Sequence, residues 1–218
     1  MYLWLAEGRG WRITHVLDTH IHADHLSRSR RLAALVGATL HMPEGASVSY
    51  PFSALGDGDV LQVGSVTLEA LRAPGHTPES TSYLLGGRAL FTGDTLFLTA
   101  VGRPDLDATP EGSREKAREL YRSLQRLLAL GPETLVLPGH TSEPVAFDGE
   151  PICAPLSEVH ESVRVLREAE DAFVGEITTH VSPTPSSFER IAELNRAGEA
   201  PEGDPTELEA GANRCAAG

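Results

Sequence analysis

The chain concentrates metal-binding residue types in one short segment, which is Thr19-His20-Ile21-His22-Ala23-Asp24-His25. Three of its nine histidines fall there. The segment directly follows an apolar run at 13–17, which we interpret as a buried strand. Side chains placed after a strand end are held by a rigid scaffold, and imidazole and carboxylate are common ligands of zinc and iron. The segment therefore predicts a metal site at the end of a strand.

Three further polar segments each close a predicted strand, and they are Gly75-His76-Thr77, Gly93-Asp94 and Gly139-His140. Taken singly, their glycines could be ordinary turn residues, and Asp24 could cap the helix expected after it. Taken together with the first segment, they are better explained as further metal ligands.

The periodicity of the rest predicts alternating strands and helices. We expect strands over 13–17, 38–42, 60–63, 66–71, 80–85, 89–92 and 134–137, with a turn at Gly86-Gly87. We expect helices over 24–36, 111–130, 156–173 and 187–195, the last with a capping box of Ser186 and Glu189. This order favours an α/β sandwich in one domain over 1–198. The acidic remainder, 199–218, is predicted to be a disordered tail.

Composition narrows the function classes. The 218 residues carry a net charge of −13, which argues against nucleic acid and membrane surfaces as partners. Two cysteines, Cys153 and Cys215, cannot form a disulfide framework, so we interpret both as ordinary thiols of a cytoplasmic protein. Residues 1–11 lack the pattern of an export signal.

The four segments together resemble the metallo-β-lactamase fold superfamily, which implies an αβ/βα sandwich with metals at one edge. Within it, longer stretches resemble the persulfide dioxygenases, relatives of glyoxalase II. These stretches are Thr19 to His25, Ala73 to Thr77, Gly93 to Phe97, Val101 to Asp105, Pro183 to Pro185 and Phe188 to Asn195.

That resemblance implies one Fe(II) per chain, held by His20, His76 and Asp94. His22 and three candidate catalytic residues would surround the iron, and the three are Asp24, His25 and His140. The implied reaction uses O₂ to oxidise a low-molecular-weight thiol persulfide, such as glutathione persulfide, to sulfite and free thiol.

Two residues are candidates for substrate binding. Arg103 could hold a substrate carboxylate, or it could form a structural ion pair with Asp105. Thr77 could donate a hydrogen bond near the metal, or it could simply turn the chain before Pro78.

The main alternative is a glyoxalase II-like thioester hydrolase with two zinc ions or mixed metals. One ion would bind His20, His22, His76 and Asp94, and the other would bind Asp24, His25, His140 and the shared Asp94. A β-lactamase proper is less favoured because no export signal is visible. Since only 19 residues precede His20, we expect the sandwich to lack its first N-terminal strands, and an inactive metal-binding remnant is a third alternative. A homodimer is compatible with the sequence.

Overall fold

The computed structural model describes residues 2–142, 144–146, 148–179, 184, 186–201, 204–209 and 215–217. Its helices are α1 (Tyr2–Gly8), α2 (Ser29–Val36), α3 (Pro110–Leu128), α4 (Leu156–Ser162), α5 (Glu170–Thr179), α6 (Phe188–Ala197) and α7 (Thr206–Glu209), with a 3₁₀ turn at Arg164–Arg167. Across the described helices, none combines the length and apolar character needed to cross a bilayer.

The strands are β1 (His15–Leu17), β2 (Thr39–Pro43), β3 (Ser53–Leu55), β4 (Val60–Val63), β5 (Val66–Arg72), β6 (Thr81–Leu85), β7 (Ala89–Gly93), β8 (Val101–Gly102), β9 (Leu135–Pro138), β10 (Ala154–Pro155) and β11 (Ala216–Ala217). In the described part of the chain they form a parallel sheet β1-β2-β3, a mixed sheet β10-β9-β7-β6-β5-β4 and a β11-β8 pair. The α/β class predicted from the sequence is confirmed.

The strand pairing brings the predicted metal ligands to one edge. Strands β7 and β9 run parallel, with Gly93 opposite Pro138, so the segments that follow them leave the sheet side by side. The end of β1 reaches the same edge, because the Thr81 N–H donates to the Thr19 carbonyl at 2.9 Å. The Tyr83 hydroxyl also donates to the Asp18 carbonyl, at 2.9 Å.

Helix α3 packs against the mixed sheet, where its Leu127 joins an apolar cluster with side chains of β5, β6 and β7. Thr109 caps its start by accepting a hydrogen bond from the Gly112 N–H, and Pro110 occupies the first turn, where the absence of an N–H costs nothing. Its apolar stripe buries Leu120, Leu124 and Leu127. Leu120 and Leu124 join the main core together with side chains of α4 and α5. Burial of this stripe holds the sheet, and with it the edge that carries the site.

Two predicted helices are wrong in extent because tertiary hydrogen bonds override helix propensity. The helix expected over 24–36 begins only at Ser29, so Asp24 does not lie at a helix start. The hydroxyls of Ser27 and Ser29 instead donate to Asp18, at 2.8 and 2.6 Å, and hold the preceding segment as a loop.

The helix expected over 156–173 is interrupted between Ser162 and Glu170. Val163 is extended, with φ −91° and ψ 93°. The Ser162 hydroxyl donates to the Leu98 carbonyl, and the Arg167 guanidinium donates to the carbonyls of His160 and Glu161.

The last predicted helix is confirmed as α6, and it ends at Gly198, which has a φ of 69°. The predicted capping box is wrong, since Ser187 is the N-cap and makes no side-chain capping bond. Pro183 and Pro185 lie outside the described residues.

Within the segment predicted to be a disordered tail, the structure describes residues 204–209 and 215–217, which contact the rest of the chain. Glu209 accepts a hydrogen bond from the Leu26 N–H at 2.7 Å and forms an ion pair with Arg28. Strand β11 pairs with β8, and Cys215 is buried. Acidic composition suggested disorder, but backbone pairing and an ion pair to a distant segment offset the missing apolar side chains. The domain boundary at 198 stays a prediction.

Candidate metal centre

All the predicted ligands meet at the sheet edge defined by β1, β7 and β9. The loop between β1 and α2 carries His20, His22, Asp24 and His25. His76 lies between β5 and β6, Asp94 directly follows β7, and His140 follows β9. Because Asp94 and His140 follow the paired strands β7 and β9, the mixed sheet fixes the spacing between these two residues.

Asp94 lies at the centre of this cluster. Its Oδ2 lies 3.9 Å from His20 Nε2, 3.7 Å from His76 Nε2 and 3.2 Å from His140 Nε2. The residue is 3% exposed. A buried carboxylate oxygen that faces three imidazole nitrogens is an arrangement that suits a bound cation.

Hydrogen bonds on the far side of the rings orient two of these histidines. His76 Nδ1 lies 2.9 Å from the Arg103 carbonyl, which can only accept, so Nδ1 donates and Nε2 is the nitrogen that faces Asp94. His20 Nδ1 is hydrogen-bonded to Thr19 Oγ1 at 2.9 Å. Partners of this kind fix the tautomer and direction of metal-binding imidazoles.

Asp24 organises the second half of the cluster. Its Oδ2 lies 3.0 Å from His25 Nδ1 and 3.4 Å from His140 Nε2, and its Oδ1 lies 3.9 Å from His22 Nδ1. His22 Nδ1 is buried and has no hydrogen-bond partner among the described residues. An unsatisfied buried nitrogen facing a carboxylate fits a ligand atom better than a packing role.

The electrostatics favour ionised carboxylates. Burial alone would raise the pKa of Asp94, but the hydrogen bond with His140 and the neighbouring His20 and His76 outweigh it and hold the pKa well below its usual range. The pKa of Asp24 is lowered in the same way, with His25 opposing the effect of burial. Burial, reinforced by His22, lowers the pKa of His20 well below its ordinary value, so its ring is neutral and able to bind a metal.

At two strand ends near the site, a side chain larger than that of glycine would collide with neighbouring atoms. A Cβ on Gly139 would lie 2.5 Å from Asp94 Oδ1, and a Cβ on Gly93 would lie 2.5 Å from Thr19 Oγ1. Gly93 also has a φ of 51°, a conformation that side chains other than glycine rarely adopt. These glycines therefore allow the ligands to approach one another, beyond the turn role considered from the sequence.

The two predicted substrate-binding residues have different surroundings. Arg103 is 1% exposed and donates through Nε and Nη2 to the Asp105 carboxylate, at 2.8 and 2.6 Å. The structure thus contains the ion pair given as the alternative for Arg103, while its role in binding substrate stays a prediction that burial does not favour. Thr77 Oγ1 is hydrogen-bonded to Ser80 Oγ at 2.7 Å, and Thr77 lines a cavity of about 420 Å³ beside His76.

Asn195, at the end of the stretch Phe188 to Asn195, holds the loop that carries His22 and His25. Its Nδ2 donates to the carbonyls of His22 and His25, at 2.8 and 2.9 Å, and its Oδ1 accepts from the Ser27 N–H at 2.8 Å.

Cys215 was interpreted as an ordinary thiol, but the structure places it at the site. Ligand-type atoms of Asp24, His140 and Cys215 all lie within 4.8 Å of one another. No local sequence pattern predicts this contact, because Cys215 is 75 residues from His140 along the chain and further still from Asp24.

The chain is similar to proteins of known family. Residues 1–140 match the family model of the metallo-beta-lactamase superfamily. Over 178 residues the chain is 38% identical to the hydroxyacylglutathione hydrolase of Methylococcus capsulatus, a match that covers 78% of this chain and 66% of that protein. Two other hydroxyacylglutathione hydrolases are matched over 51% and 53% of their length, so the chain spans between about half and two thirds of these relatives.

Solved structures show the same architecture. The metallo-beta-lactamase of Staphylococcus aureus superposes with a TM-score of 0.82 at 27% identity, covering 91% of this chain and 62% of that one. ETHE1 from Myxococcus xanthus superposes with a TM-score of 0.77 at 32% identity, covering 91% of this chain and 83% of that one.

Proposed function

The chain belongs to the metallo-beta-lactamase superfamily, and we propose that it is a metal-dependent hydrolase of thioesters formed by a small thiol such as glutathione. From the sequence we expected a persulfide dioxygenase first and a thioester hydrolase second. The curated relatives carry the name hydroxyacylglutathione hydrolase, and that name favours the second of the two.

One observation carries the proposal: the two halves of the ligand cluster are continuous. His140 Nε2 lies 3.2 Å from Asp94 Oδ2 in one half and 3.4 Å from Asp24 Oδ2 in the other. Asp94 could therefore belong to both groups of ligands, an arrangement that would suit metal-dependent attack of water on a carbonyl carbon.

The donor chemistry fits zinc, iron or a mixture of the two. His20, His22, His76 and Asp94 would hold one ion, and Asp24, His25, His140 and Asp94 the other. When bound, such ions act as Lewis acids and lower the pKa of water. A carboxylate that binds a metal through one oxygen keeps the other, so Asp24 would accept the proton of the attacking water and return one to the departing thiolate sulfur.

The cavity of about 420 Å³ beside His76 gives the thiol carrier a place to bind. Lys116 and Arg196 are among the residues that line it. The Lys116 ammonium donates to the Leu106 carbonyl at 2.8 Å, which fixes its position on the wall. Glu79, Asp107 and Glu189 line the same cavity. Charges of both signs favour a substrate that carries carboxylates together with an ammonium group, as glutathione does.

The test compares two thioesters on the zinc-loaded full chain: a hydroxyacyl thioester of glutathione and a neutral thioester without carboxylates. We expect metal-dependent release of thiol from both. Lys116→Gln should raise KM several-fold for the glutathione thioester and leave KM for the neutral one unchanged. No thiol release from either substrate, with two metals bound, would overturn the hydrolase proposal.

A second candidate function is favoured by one geometric feature. His20, His76 and Asp94 form a compact and fully buried group of two histidines and one carboxylate, the ligand set of non-haem iron oxygenases. In that reaction one persulfide, one O₂ and one water would give one free thiol, one sulfite and two protons. Oxygen uptake by the iron-loaded chain on addition of glutathione persulfide, in the absence of thioesterase activity, would favour this candidate.

A further inference from the structure

The C-terminal segment is fixed by its backbone next to the metal centre. Strand β11 pairs antiparallel with β8, with Ala216 opposite Gly102. The Arg103 N–H donates to the Cys215 carbonyl at 2.8 Å. Arg103 is also the residue whose carbonyl orients His76, so one short stretch of backbone positions both a histidine of the centre and the cysteine.

The Cys215 side chain points into the ligand cluster. The residue is 8% exposed. Ligand-type atoms of Cys215, Asp24 and His140 lie within 4.8 Å of one another. A cysteine sulfur, an imidazole and a carboxylate converging from three segments form a donor set suited to zinc and other borderline metals.

We propose that Cys215 is a sulfur ligand of the second metal position, together with Asp24 and His140. The inference rests on the metal centre of the proposed function but not on its reaction. Metal binding would release the thiol proton to solvent and form a metal–sulfur bond. The two positions would then differ in chemistry, because His20, His76 and Asp94 offer only nitrogen and oxygen, whereas the second position adds a soft thiolate that favours zinc.

Cobalt(II) reports this bond directly, because thiolate coordination produces an intense charge-transfer band in the near ultraviolet. The matched control is Cys153→Ser. It removes the half-buried loop cysteine, so that Cys215 is the one cysteine left in the sequence. We expect the band in the wild-type chain and in Cys153→Ser, and its loss in Cys215→Ser. A band that survives in Cys215→Ser, or that is absent from the wild-type chain, would overturn the inference.

If Cys215→Ser does not fold, X-ray absorption on zinc-loaded Cys153→Ser tests the same inference without that variant. A zinc–sulfur shell at about 2.3 Å is expected, and a shell of nitrogen and oxygen alone at about 2.0–2.1 Å would contradict it. Neither readout uses activity. A sulfur ligand without thioester hydrolysis would count against the proposed function alone, and hydrolysis without a sulfur ligand would count against the inference alone.

Discussion

Asn195 donates a hydrogen bond from its side-chain amide to the backbone carbonyl of His22, at 2.8 Å across a separation of 173 residues. The same amide group donates to the His25 carbonyl. The ligand loop is therefore held by a side chain of α6, the last long helix described, rather than by a helix of its own. Metal binding and the packing of α6 should be coupled through this residue.

Replacing Asn195 by alanine should weaken the metal centre without removing a ligand. The three lost hydrogen bonds should lower the affinity for zinc by roughly 10–100-fold, as for other residues that orient metal ligands. They should also reduce the free energy of unfolding by about 1–3 kcal/mol. Chelator competition and urea denaturation measure the two effects. Glu193→Gln, at an exposed position of the same helix, should change neither. An Asn195→Ala protein that keeps wild-type zinc affinity would contradict this role.

The approach of the β9 end to Asp94 predicts an effect for a single methyl group. Gly139→Ala would place a Cβ 2.5 Å from Asp94 Oδ1, so the carboxylate or the strand end must shift. We expect weaker metal binding and a loss of about 1–3 kcal/mol in the free energy of unfolding.

Gly131→Ala is the matched control for this change, because its nearest neighbour, Thr134 Oγ1, would be 3.9 Å away. Metal titration and thermal unfolding of both variants provide the comparison. Equal behaviour of the two would show that the tight contact at Gly139 is not needed.

The sequence predicted the residues that meet at the site but not what holds them. Residues such as His76 and Asp94 follow strands whose alternation and turn glycines are local signals, so their convergence could be inferred. The loop from Asp24 to Arg28 could not be, because its shape depends on Asp18 and Asn195 from elsewhere in the chain. Local periodicity there favoured a helix, and tertiary hydrogen bonds prevented it.

The C-terminal segment shows the same limit for composition. Its acidic residues and scarce apolar side chains are typical of a disordered tail. Glu209, however, meets the cation of Arg28, and Ala216 and Ala217 pair with β8. Such contacts join residues that are far apart in the sequence, so a local stretch of sequence cannot predict them. Cys215 was overlooked for this reason.

An exposed ion pair between Arg126 of α3 and Asp57, which lies between β3 and β4, predicts a small pH-dependent contribution to stability. The hydrogen bond from Arg126 holds the pKa of Asp57 below its ordinary value of 3.8. A lowered folded-state pKa stabilises the fold above the unfolded-state pKa, and this contribution is lost as the pH falls through the folded-state pKa.

Asp57→Asn should therefore lower the free energy of unfolding at pH 7 by less than about 1 kcal/mol, since the pair is solvent-screened. The difference in the free energy of unfolding between the variant and the wild-type chain should shrink between about pH 4 and pH 2, where carboxylates become protonated. Urea denaturation of both proteins at each pH measures this difference. A difference that grows as the pH falls would contradict the assigned sign.

The position of Asp94 between the two halves of the cluster makes it the most informative ligand to change. Asp94→Asn keeps the shape of the side chain and removes the charge that faces His20, His76 and His140. We expect both metal positions to lose affinity together, and thioesterase activity to fall by more than about 100-fold, consistent with loss of metal-supplied electrostatic stabilisation. Asp171→Asn, an exposed carboxylate on α5, is the control and should bind metal and turn over normally. Metal content by mass spectrometry after gel filtration separates two outcomes. Loss of both ions supports Asp94 as the shared ligand, whereas loss of one ion alone would assign Asp94 to a single position and contradict the bridging arrangement.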